Sequence, residues 1–70
     1  MVTYIELNAF LKVKLLAGTG GQAKLLIRSG KVLVNNISET RNKRKLLAGD
    51  VVSVDGKQFV VEETMLRMHG

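Results

Sequence analysis

The dipeptide Asp55-Gly56, set between the runs Val51 to Val54 and Gln58 to Glu62, constrains this chain more than any other feature. A two-residue type I′ turn needs positive φ at both central positions, which aspartate tolerates and glycine adopts freely. These residues predict an antiparallel hairpin. Val32, Leu33 and Val34 form a second short β-branched and apolar run ending at Asn35-Asn36, which predicts a strand and another tight turn. A further turn is expected at Gly49-Asp50, after Leu46 and Leu47.

Nearer the start of the chain the period is helical. Leu7, Phe10, Leu11 and Leu15, widened by Val13 and Leu16, predict an amphipathic helix from about Glu6 to Ala17, with Gly18 as its stop. Thr19 and Gln22 stand in the capping-box relation and open a second helix, from about Gly21 to Ser29, which Gly30 ends. Its packing face is Ala23, Leu26 and Ile27. Residues 63–70 have no clear period and are read as either a short helix or a frayed end.

Seventy residues are expected to form a single domain over 1–70, with a core from about 5 to 62, a C-terminal tail and little buried surface to spare. The absence of cysteine excludes a disulfide framework and a thiolate metal site, which fits a reducing cytoplasm. Met1 to Leu7 lack the basic-then-apolar order of a signal peptide, and no apolar run approaches the roughly 20 residues that span a bilayer. A soluble protein, cytoplasmic and monomeric, is expected.

The net charge of +5 is unevenly distributed. Lys24, Arg28, Lys31, Arg41, Lys43, Arg44 and Lys45 face one acid, Glu39, so the segment from Lys24 to Lys45 carries +6 and the rest of the chain −1. Gathered cations suit a phosphate backbone, because they release its counterions together. At 100° per residue Lys24, Arg28 and Lys31 project beside the packing face of the second helix, as a binding stripe or as an ordinary solvated face. Arg41 to Lys45 places four cations in five residues, which repel one another unless an anion neutralises them. The order of that loop is therefore expected to depend on a bound anion.

Catalysis has little to work with. His69 is the single histidine and sits beside the chain end, while Asp50 and Asp55 fall where aspartate has a backbone role in turns. Gly18, Gly20 and Gly21 precede a helix, but no lysine-serine or lysine-threonine pair follows them, so they are read as capping and close-contact glycines. No enzyme activity, cofactor or metal is expected. Tyr4, Phe10 and Phe59 are the only aromatics, and Phe10 and Phe59 hold core-like positions. That argues against a platform for stacked single-stranded bases and favours the shape and phosphates of folded RNA. A membrane surface is disfavoured because the apolar helix positions are committed to the core.

The series Gly21-Gln22-Ala23-Lys24, Ile27, Gly30-Lys31-Val32, Val34-Asn35, Lys45-Leu46 and Gly49-Asp50-Val51 resembles the S4 RNA-binding domain family, in particular its small stand-alone members of the YaaA type. The likeness covers about residues 5 to 62. It implies an α+β fold, with two helices packed on a small, bent antiparallel sheet, and RNA held by the second helix and the loop that follows. Where many members read Arg-Leu-Asp before the first helix this chain has Glu6-Leu7-Asn8, and where they read Ser-Arg before the second it has Thr19-Gly20. The Asn-Gly turn of the pattern is Asn35-Asn36 here.

The expected partner is structured RNA of the ribosomal or transfer RNA class, with ribosome association as one form of it and DNA a weaker candidate for want of base-reading residues. Lys24, Arg28, Lys31, Arg41, Lys43, Arg44 and Lys45 are expected to meet phosphates, and Gln22, Asn35 and Thr40 to add polar contacts. The alternative is a protein-interaction adaptor whose basic face meets an acidic partner.

Overall fold

A computed structural model describes residues 3–69, with side chains described from Thr3 to Leu66. The elements in chain order are β1 (Ile5–Glu6), α1 (Leu7–Val13), α2 (Gly20–Arg28), β2 (Val32–Val34), β3 (Ile37–Ser38), β4 (Lys45–Leu46), β5 (Val51–Val54), β6 (Lys57–Val60) and α3 (Glu63–His69). The fold is α+β, as expected. Strands β3, β2, β5 and β6 lie in that order in an antiparallel sheet, and β1 pairs with β4 in a separate two-stranded ribbon.

Both anticipated hairpins are present. Asn35 and Asn36, at φ 53° and 67°, pair Val34 with Ile37, and Asp55 and Gly56, at 52° and 78°, pair Val54 with Lys57. Because the second loop has only two residues, β6 starts at Lys57, one residue earlier than the run Gln58 to Glu62 suggested. Val61 continues the pairing beyond the strand: its N–H donates to the Asp50 carbonyl at 2.8 Å, and its carbonyl accepts from the Gly49 N–H at 2.9 Å.

Helix α1 is shorter than its periodicity implied. It ends at Val13, where the Leu15 N–H donates to the Lys12 carbonyl at 3.0 Å and the Leu16 N–H to the Leu11 carbonyl at 2.9 Å. This paired closure is a Schellman motif, whose left-handed position is usually glycine. Leucine occupies it here, with Leu15 at φ 59°. The reversal swings Leu15 out of the apolar stripe to 89% exposure and leaves Val13 exposed, while Leu16 packs against the core. Gly18 is therefore not the stop. Its N–H donates to Gln22 Oε1 at 2.8 Å, while Thr19 Oγ1 accepts from the Gln22 N–H at 3.1 Å, a reciprocal cap that opens α2.

One core joins these pieces. Leu7, Phe10 and Leu11 from α1, Ala23 and Ile27 from α2, and Val32, Val34, Val52 and Val54 from the sheet are buried together. Ile5 and Leu46 close one end from the ribbon, and Leu66 of α3 is buried with them. The segment left open between helix and frayed end is thus helical from Glu63 to His69 and contacts β1. Met1, Val2, Gly70 and the His69 side chain lie outside the described residues.

Candidate nucleic-acid interface

The loop between β3 and β4 is organised by its single acid. Glu39 is 7% exposed and each carboxylate oxygen takes two donors. Oε2 accepts from the Arg41 backbone N–H and Nε, both at 3.0 Å, and Oε1 accepts from Arg41 Nη2 at 3.0 Å and Arg44 Nη1 at 2.7 Å. The hydrogen bonds from Arg41 and then Arg44 hold the Glu39 carboxyl at a pKa of about 2, below its ordinary 4.5, against the opposing effect of burial. The same contacts raise the pKa of Arg41.

This arrangement corrects the expectation that the loop waits for an external anion. Glu39 is that anion, and the backbone fixes the loop further. Helix α1 has no side-chain cap, so the free N–H groups of Leu7 and Asn8 donate to the carbonyls of Arg44 at 2.8 Å and Asn42 at 3.0 Å. Lys45 pairs with Glu6 in the β1–β4 ribbon, and its ammonium lies 4.9 Å from the centre of the Tyr4 ring, a cation–π contact.

Ordering leaves the cations available. Arg41 has a side chain 73% exposed and Arg44 one 30% exposed. Each guanidinium has five N–H donors, of which Glu39 takes two from Arg41 and one from Arg44. With Lys43 and Lys45 they line a concave surface of about 450 Å³. Like charges crowded into a concavity are costly until an anion enters it, and planar guanidinium groups already held in place suit phosphate oxygens.

Lys24 and Arg28 are exposed on α2, one turn apart, beside the face that buries Ala23 and Ile27. Lys31 is not on the helix, because Gly30 at φ 83° turns the chain before it. That corner is fixed by the Lys31 N–H donating to Ser29 Oγ at 3.3 Å and by Ser38 Oγ donating to the Gly30 carbonyl at 2.9 Å. The expected three-cation stripe is therefore a pair on the helix and a third at the sheet.

The three polar candidates differ in their commitments. Thr40 is exposed. Gln22 uses its carboxamide oxygen in the α2 cap. Asn35 is engaged at both ends: Oδ1 accepts from the Val51 N–H at 3.0 Å, and Nδ2 donates to Asp50 Oδ1 at 3.2 Å. Sequence reasoning missed Glu39, although a lone acid two and five residues before arginines was a usable signal. It also missed Asn8 and Asn42, half-buried where α1 meets the loop, whose carboxamide oxygens are buried without a donor. Among the described residues, no group of three or more His, Cys, Asp or Glu is placed to hold a metal ion, and no helix is long and apolar enough to cross a membrane.

The family model for the S4 domain matches residues 2–62. The chain belongs to the S4 domain family. Proteins similar to it include "Probable ribosome maturation protein RlbA" of Bacillus subtilis (strain 168), 42% identical over 52 residues, covering 74% of this chain and 73% of the relative. "Putative RNA-binding protein YbcJ" of Escherichia coli (strain K12) is 40% identical over 58 residues, 83% of each chain. The S4 match spans both cation groups and the loop that Glu39 organises.

Proposed function

We propose that this protein binds structured RNA, of the ribosomal or transfer RNA class, in the cytoplasm and without catalysing a reaction. The observation that carries the reading is the concave surface of Arg41, Lys43, Arg44 and Lys45, rigid because Glu39 and the start of α1 hold it. Lys24 and Arg28 on α2, and Lys31 just after it, add further exposed cations. A duplex or hairpin presents phosphates in fixed positions, and a prearranged set of cations meets them with little further ordering cost. The printed names of the relatives, one for ribosome maturation and one for RNA binding, support the same class of ligand. Folded RNA is favoured over a run of unpaired bases because Phe10 is buried, Phe59 packs against the core and Tyr4 is engaged by Lys45.

The test is a salt titration of binding to a labelled RNA hairpin. Each phosphate contact contributes about −0.7 to −0.9 to the slope of log K against log[salt], so a Lys43, Arg44, Lys45 triple alanine is expected to flatten it by roughly 2 to 3. An unchanged slope rules the loop out as the phosphate site. Competition between the hairpin and duplex DNA separates RNA from DNA binding, and RNA is expected to win.

A further inference from the structure

Ser53 is out of character with its surroundings. It stands in the middle of β5, with Leu33 of β2 and Gln58 of β6 directly across the ladder on either side. It is 6% exposed and its hydroxyl has no hydrogen-bond partner. An unpaired buried hydroxyl weakens a fold, and a β-branched apolar residue would serve a strand better there. Ser53 lines a groove of about 220 Å³ on the outer face of the sheet, opposite the core, together with Lys31, Leu33, Asn36, Asp55 and Gln58, and its hydroxyl is covered there.

Pockets that enclose a whole small molecule run to roughly 300–1,000 Å³, so this groove suits one moiety of a larger ligand. Its chemistry is mixed. Leu33 is apolar, Asn36 and Gln58 each offer a donor and an acceptor, Ser53 can do either and Asp55 presents carboxylate oxygens. Two type I′ turns bound it, with Asn36, Asp55 and Gly56 all at positive φ, so the rim is preformed. Lys31 links the groove to the basic surface, because it follows Arg28 by three residues around the Gly30 corner.

We propose that this groove holds one unpaired nucleotide of a bound RNA, its base over Leu33 and bonded to Ser53, its phosphate on Lys31. The inference rests on the RNA-binding reading above. A flat base with an apolar face and an edge of donors and acceptors matches the lining, and a phosphate chain following Lys24 and Arg28 is delivered to Lys31. Exposed Gln58, the cross-strand neighbour of Ser53, is the side chain that moves aside to uncover the hydroxyl.

The experiment measures binding of the full chain, and of Ser53→Ala and Ser53→Val, to a fully paired RNA hairpin and to a set carrying a single unpaired nucleotide at each successive stem position. The wild type is expected to prefer at least one member of the set over the paired hairpin by about 5- to 10-fold, the worth of a hydrogen bond or two. Both variants should lose that preference while binding the paired hairpin as the wild type does. Ser53→Val is also expected to melt about 4 °C or more higher, which shows that the loss is not one of folding. A wild type without any preference, or a preference that survives in both variants, overturns the groove as a nucleotide site while leaving RNA binding intact. A wild type that binds no hairpin overturns the RNA-binding reading itself, and this inference with it.

Discussion

Glu39 shows how one residue can govern the charge around it. Its carboxyl is held near pKa 2 in the fold, below the ordinary 4.5, so the folded state binds the proton less readily than the unfolded chain. By linkage, the stability this gives is fully present above about pH 4.5 and is lost as pH falls towards 2. Glu39→Gln should therefore flatten the acid limb of a stability-against-pH curve over that window. At neutral pH Glu39→Ala should cost about 1–2 kcal/mol by urea unfolding, less than the several kcal/mol of a fully buried pair because Arg41 is largely solvated. Leu15 makes the opposite case. A left-handed leucine costs roughly 1–2 kcal/mol, and this one is almost fully exposed, so Leu15→Gly should raise stability by about 1 kcal/mol in the same assay.

At the scale of elements, what was legible in the sequence was what neighbouring residues decide. Asp55-Gly56 and Asn35-Asn36 announced their hairpins because a two-residue turn is determined by the φ its own residues accept. Thr19 and Gln22 announced the start of α2 because the cap closes within five residues. Thr19→Ala should accordingly destabilise the fold by about 1 kcal/mol, read as a lower urea midpoint with an unchanged m-value. What was not legible depends on distant partners. The β1–β4 ribbon brings Ile5 to Leu46 across the chain through strands of two residues, too short to carry a period. The early end of α1 depends on a leucine accepting a glycine-like conformation, against its propensity. Arg41 to Lys45 could be recognised by charge but not seen to be ordered, because its restraints come from Glu39 behind it and from the amides of Leu7 and Asn8 far before it.

For the whole molecule, the fold keeps its apolar core and its cations apart. The inner face of the sheet, α1 and α2 supply the apolar core, while the cations gather on the free side of α2 and on the β3–β4 loop that α1 anchors. On the RNA-binding function proposed above, affinity is expected to depend on the arrangement of these cations and not merely on their number. The most direct measurement is the affinity of Glu39→Gln for an RNA hairpin across a range of salt concentrations. That substitution removes a negative charge from a basic surface, so attraction by net charge alone would tighten binding. Affinity is expected to fall about 5- to 10-fold, some 1–1.4 kcal/mol, as Arg41 and Arg44 lose their brace, with a salt slope no shallower than the wild type's. Binding as tight as the wild type's, or tighter, would contradict that expectation.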